Sequence, residues 1–125
     1  MCIRDRFVVN VVPFQLAESM AQTATALPYE ESEIDLAGLS TAESSRVLPP
    51  RIVGSPIQFE CRLFQLIEVG TGPTGANLIL GKIELIHVDD AAVGDNGKID
   101  PALVDAVGRM GGRDYCRTQD RFSLP

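Results

Sequence analysis

Two long runs of alternating residues, joined by a glycine-rich turn, constrain this chain more than any other feature. In PIQFECRLFQLIEVG the odd positions Ile57, Phe59, Cys61, Leu63 and Ile67 are apolar, interrupted only by Gln65. Gln58, Glu60, Arg62 and Glu68 alternate with them. A period of two marks a strand with one face buried. Phe64 and Leu66 make the far end apolar on both faces, so the strand reads as half-buried at first and fully buried later. TGPTGAN supplies a turn, and LILGKIELIHVDD reads as a second long strand. The pair predicts a long antiparallel hairpin. Gly81, inside the second strand, predicts a bulge or sharp bend of the kind found at a barrel corner.

Shorter elements flank the hairpin. Phe7–Val12 is a β-branched apolar run ended by Pro13, and it predicts a strand. FQLAESMAQTAT then places Phe14, Leu16, Ala17, Met20, Ala21 and Ala24 near helical spacing, which predicts a short amphipathic helix over 14–24. Pro28 breaks it, and the acids between Glu30 and Asp35 read as a solvated loop. The Pro- and Ser-punctuated connection that follows holds a short strand near 50–53. Asp95-Asn96-Gly97 is a tight turn, and Asp100 caps a short helix with Pro101 at its first position. Gly111-Gly112 interrupts the chain before a short strand around Tyr115–Thr118. The class is β-rich with minor helices, a barrel or part of one.

Composition bounds what such a chain can bind. Its 125 residues suit one modest domain with a usable core. A net charge of −6 disfavours nucleic acid, because Lys and Arg must supply the attraction to a phosphate backbone. No run approaches the about 18 apolar residues of a membrane span, and Arg4-Asp5-Arg6 precedes only a short apolar run without a cleavage site. Cys2, Cys61 and Cys116 are odd in number and widely spaced, which reads as reduced thiols in a cytoplasmic protein. A single histidine without a cysteine cluster makes a zinc site a poor reading.

Three stretches can carry chemistry. His87 is the one group that titrates near neutrality by itself. By simple alternation it shares a strand face with Ile79, Gly81, Ile83 and Leu85, where it is either a proton donor in a pocket or a structural histidine bonded to a neighbour. Asp89 and Asp90 point to opposite faces if extended, so a turn role outweighs cation binding. GRMGGRDYCR is the richest stretch. Gly108, Gly111 and Gly112 free the backbone to approach a ligand, Arg109, Arg113 and Arg117 offer anion contacts, and Tyr115 offers a flat face. That set suits a phosphate-bearing aromatic ligand such as a flavin or nicotinamide nucleotide, and it equally suits a plain loop with surface arginines.

Taken in order, FVVNVV, LAESMAQTA, EIDLAGLS, SPIQFECRLFQLIEVG, NLILGKIELIHVDD, GKIDPALVDAVGRMGGRDYCR and DRFSLP resemble the flavin reductase-like family with the FMN-binding split barrel. The resemblance runs from Phe7 to Pro125. It implies a mainly β fold with short helices, a partial split β-barrel of Greek-key type. It also implies a homodimer with FMN near the subunit interface. NADH or NADPH would be the hydride donor and a partner monooxygenase the recipient of reduced flavin. The same fold hosts two other readings, a non-catalytic FMN-binding protein and a cofactor-less dimeric interaction module.

The resemblance further implies that 1–6 are a non-native leader and that 7–125 are the C-terminal part of a single domain whose first strands lie upstream. Unpaired strand edges in such a piece favour self-association. On the matched segment the candidate cofactor-binding residues are Arg109, Gly111, Gly112, Tyr115 and Arg117, followed by Asn77 and His87. No catalytic residue is assigned, and no metal, membrane or nucleic acid is expected.

Overall fold

A computed structural model describes residues 5–125. Its centre is the predicted hairpin. The connected strands run β1 (Arg6–Asn10), β2 (Thr41–Ala42), β3 (Arg51–Ile52), β4 (Ile57–Val69), β5 (Ala76–Val88), β6 (Val107–Gly111) and β7 (Asp114–Arg117). Strands β4 and β5 pair antiparallel from Ile57↔Val88 to Val69↔Ala76, and β1 adds to the outer edge of β4 in the order β1-β4-β5. Strands β2 and β3 form one small ribbon, and β6 and β7 another. The described residues are therefore mainly β, in three separate sheets rather than one closed barrel. Of the expected leader, residues 1–4 lie outside the described residues. The Asp5 carbonyl accepts the Leu63 N–H at 2.8 Å, and Arg6 opens β1 opposite Arg62.

Two bulges re-aim the hairpin. Pairing steps from Glu60↔Leu85 to Cys61↔Ile83, leaving Glu84 as an extra residue, and from Leu63↔Gly81 to Gln65↔Leu80, leaving Phe64 extra. Each extra residue shifts the alternation by one. Ile57, Phe59, Cys61 and Leu63 therefore share a face with Ile83, Gly81 and Ile79. Gln58 and Glu60 share the other face with Leu85 and His87. This corrects the simple alternation, which put His87 on the face of Gly81. Gly81 does mark the bend, and it also admits a neighbour: a Cβ there would sit 2.5 Å from Phe7 Cζ.

Strand β1 ends at Asn10 rather than Val12. The Val11 N–H still reaches Ile57 O at 3.0 Å, but the Val12 carbonyl turns away to accept the Val107 N–H at 3.0 Å. Pro13 bridges Ala106, and Phe14 N–H donates to Asp105 O at 2.9 Å. These bonds fasten the β6–β7 ribbon to the exit of β1. The predicted 14–24 helix is split into a 3-10 turn, Phe14–Leu16, and α1, Ala17–Gln22. Within the acidic loop, Glu33–Leu36 forms a single helical turn, α2, with its acids exposed.

Local signals near the C-terminal end behave as their chemistry dictates. Asp89 Oδ1 accepts the Ala91 N–H at 3.0 Å, starting a 3-10 turn at Asp90–Ala92, which is the turn role expected of it. Asp100 Oδ1 caps α3, Pro101–Val104, through the Ala102 N–H at 2.9 Å, with Pro101 in the first position. Helix α3 ends at Asp105, whose backbone is left-handed at φ 50°. No described helix is long and apolar enough to cross a membrane.

Candidate functional site

The seven sequence candidates separate into three places. Arg109, Gly112, Tyr115 and Arg117 line one groove of 750 Å³ between the β6–β7 ribbon and α1, with Phe14, Met20 and Arg113 also in its walls. Arg109 and Tyr115 are directly opposed across the ribbon, so both side chains stand on one face. Gly111 is the last residue of β6, paired with Asp114 where the ribbon turns back. Asn77 lies at the far tip of the hairpin opposite Glu68, and His87 lies at its base opposite Gln58. Neither lines the groove.

The glycines have a local explanation. Gly111 and Gly112 take φ values of 116° and 56°, which side-chain-bearing residues rarely adopt, and a Cβ on either would meet nothing within 4 Å. They are glycines because the turn requires them, not because something presses on the backbone. At Gly108 a Cβ would come 3.1 Å from the Cys116 sulfur, so that glycine answers to packing.

The three arginines differ in how they are engaged. Arg117 Nη2 donates to Asp105 Oδ2 at 2.7 Å, and its guanidinium carbon stands 4.0 Å from the centroid of the Phe14 ring. Asp105 also accepts from Gln119 Nε2 at 2.8 Å. The Gln119 hydrogen bond and then the Arg117 guanidinium hold the Asp105 carboxyl below the usual carboxylate range. Arg117 thus ties β7 to the end of α3 and to the Phe14 turn. Among the described residues Arg109 makes one side-chain hydrogen bond, from Nη2 to the Gly112 carbonyl at 3.3 Å.

His87 belongs to a separate, buried cluster. Glu60 has no exposed surface, and its carboxylate accepts the backbone N–H groups of Ser45, Arg46 and Val47 at 2.6–3.2 Å. His87 Nε2 pairs with Glu60 Oε2. Burial pushes the Glu60 carboxyl up, but the bonds from Ser45, His87, Arg46 and Val47 together outweigh it and bring it down to about 2. Beside it, Gln58 Nε2 donates to Ile52 O at 2.7 Å, and the Ile52 N–H donates to Asn10 Oδ1 at 3.0 Å. The cluster fastens the 43–52 segment onto the sheet. The bond to a neighbour that one reading of His87 expected is made, to Glu60. Burial pushes the Cys61 thiol up as well, which keeps it protonated and unreactive.

Sequence reasoning missed Glu60, Asp105 and Phe14. Glu60 stood in the sequence as one of the polar, outward positions of an alternating strand. Its donors come from a loop with no motif that announces them. Asp105 and Phe14 were hidden because their partner, Arg117, is distant in sequence from each.

The chain can now be placed among known proteins. Residues 3–112 match the family described as the flavin reductase like domain. The chain belongs to that family. It is similar to an uncharacterized protein of Deinococcus radiodurans, 36% identical over 121 residues, covering 94% of this chain and 52% of that protein. Among solved structures it is similar to nitrilotriacetate monooxygenase component B from Bacillus cereus, with TM-score 0.87 and 28% identity over 96% of this chain and 60% of that one. It is also similar to the 2-nitrobenzoate 2-nitroreductase of Pseudomonas fluorescens, with TM-score 0.84 and 29% identity over 98% of this chain and 59% of that one. The fold is that of the flavin reductase-like split barrels, of which the described strands are a part. The chain spans about half the length of the curated relatives it matches.

Proposed function

We propose that the protein carrying this chain is an NAD(P)H-dependent flavin reductase that binds FMN and works as a homodimer in the cytoplasm. Reduced flavin would pass to a partner monooxygenase. The observation that carries this reading is the groove beside α1. On a flavin reductase-like fold it brings cationic side chains, the exposed faces of Tyr115 and Phe14, and a backbone turn to one concave surface.

These residues fit a nucleotide ligand in kind. Tyr115 and Phe14 give a ring flat apolar surfaces, and Arg109 gives a phosphate a cation with little competing engagement. When bound, the flavin supplies the electron-accepting ring for hydride from the nicotinamide. This chain's own part is to hold and orient the nucleotide against that wall and to keep water from its buried side. The likeness to a protein described as a monooxygenase component supports the partner oxygenase.

The test is oxidation of NADH and of NADPH by the full-length protein with and without added FMN, followed by the loss of reduced-nicotinamide absorbance. Flavin-dependent oxidation is the expected result. Flavin bound in stoichiometric amount without any oxidation would make the protein a non-catalytic flavin binder. A preparation that stays colourless after FMN addition would make it an interaction module.

A further inference from the structure

We propose that Arg113 and Arg109, and not Arg117, form an anion subsite at the tip of the β6–β7 ribbon that takes the phosphate of a nucleotide. The choice of nucleotide rests on the function proposed above; the anion subsite itself does not.

Arg117 is already satisfied. Its charge is met by Asp105 at 2.7 Å, one face of its guanidinium is covered by Phe14, and Gln119 holds Asp105 in place. An incoming phosphate would meet a guanidinium whose charge a carboxylate already pairs through Nη2 and, at 3.4 Å, Nε. Arg113 makes no hydrogen bond or ion pair among the described residues, and Arg109 makes a single long bond to a neutral carbonyl. Both are exposed and both line the groove, Arg109 from β6 and Arg113 from the Gly112-Arg113 turn that follows it. Glu18, on the facing wall of α1, lines the same groove but pairs with neither.

Two guanidinium forks lining one concave surface can meet a phosphate in paired, charge-assisted hydrogen bonds. The other side of α1 offers a contrast. There a groove of 910 Å³ is lined by Glu31, Glu33 and Tyr29 and by no lysine or arginine. An anionic group is therefore drawn to the ribbon side of the helix and repelled from the other.

The experiment is calorimetric titration of the full chain with inorganic pyrophosphate, then with FMN, riboflavin and NADH, for wild type, Arg109→Ala, Arg113→Ala and Arg117→Lys. Circular dichroism verifies the fold of each. Arg113→Ala and Arg109→Ala should each weaken pyrophosphate binding by about tenfold, and high salt should erase the difference. Arg117→Lys should stay within about twofold of wild type. If Arg113→Ala weakens FMN and leaves riboflavin unchanged, the phosphate is the flavin's. If it weakens NADH alone, the phosphate is the dinucleotide's. Wild type that binds no pyrophosphate overturns the subsite, as does an Arg117→Lys loss larger than that of Arg113→Ala. Pyrophosphate binding that follows these variants, without binding of either nucleotide, keeps the subsite and overturns the proposed function instead.

Discussion

The two halves of the β4–β5 hairpin differ in what encloses them, although Ile83 and Ile86 leave part of one face of the base exposed. At the base, 57–63 and 81–88, a third strand pairs with the edge and the 43–52 segment covers one face. The residues most deeply enclosed there are largely polar: Glu60 and Gln58 are buried together with Cys61, and Ser55 is buried just before β4. At the tip, 64–69 and 76–80, Phe64 is 73% exposed and Leu66, Ile67, Val69, Leu78 and Leu80 are exposed as well. The difference teaches that hydrophobic pattern alone does not locate the core of this chain. The base is ordered by a buried carboxylate whose bonds are all satisfied. The tip carries the apolar surface of a buried strand on both faces, with nothing among the described residues laid over it.

The comparison would break most visibly at Glu60. Glu60→Ala removes the acceptor of the Ser45, Arg46 and Val47 amides and the partner of His87, leaving the buried Val47 donor unmet and the part-buried ones loosened. Losses from breaking a buried pair run to about 3–5 kcal/mol, and urea denaturation should show a decrease of that order. The pH dependence has a definite sign. The folded-state pKa of about 2 lies below the ordinary 4.5, so the stabilisation is complete above the ordinary value and declines as pH falls toward 2. Wild type and Glu60→Gln should therefore differ most near neutrality and converge in acid. Parallel stability profiles across that range would remove Glu60 as the source of order at the base.

A smaller effect sharpens the boundary between the halves. Gly81 sits where the register shifts, and Phe7 fills the space a side chain would take. Gly81→Ala should cost about 1–3 kcal/mol by overpacking, measured by thermal unfolding. Phe7→Leu in the same chain should return part of that loss, so the two substitutions should couple. Additive effects would mean that Phe7 is free to move aside and that the base does not end where β1 leaves it.

What was legible in the sequence follows from the range of each interaction. The hairpin, the Asp100-Pro101 helix start and the turn at Gly97 are local, and each is written in adjacent residues. The bulges at Phe64 and Glu84 are properties of two strands at once. Alternation counted along one strand cannot register them, which is why His87 was assigned the wrong face. Arg109, Gly112, Tyr115 and Arg117 line one groove because a short ribbon keeps sequence neighbours together in space. The division of labour among the arginines was not visible, because Asp105 and Phe14 reach Arg117 from other elements.

The smallest stability effect is expected at the tip, and it tests the other side of the comparison. If Phe64 and Leu78 are exposed in this chain, then Phe64→Lys with Leu78→Lys removes no packing within it. Folding stability should change by no more than about 0.5 kcal/mol, as for ordinary surface substitutions. Self-association should nonetheless fall, because exposed apolar strands that pair between molecules are opposed by lysine. Sedimentation velocity across a concentration series reads the second effect, and denaturation reads the first. A loss of about 2 kcal/mol or more would place these side chains against other parts of the same chain, and the tip would then be a second core rather than an open surface. Unchanged stability with reduced association would leave the tip as an open apolar surface, whereas the Glu60 face of the base carries its own cover.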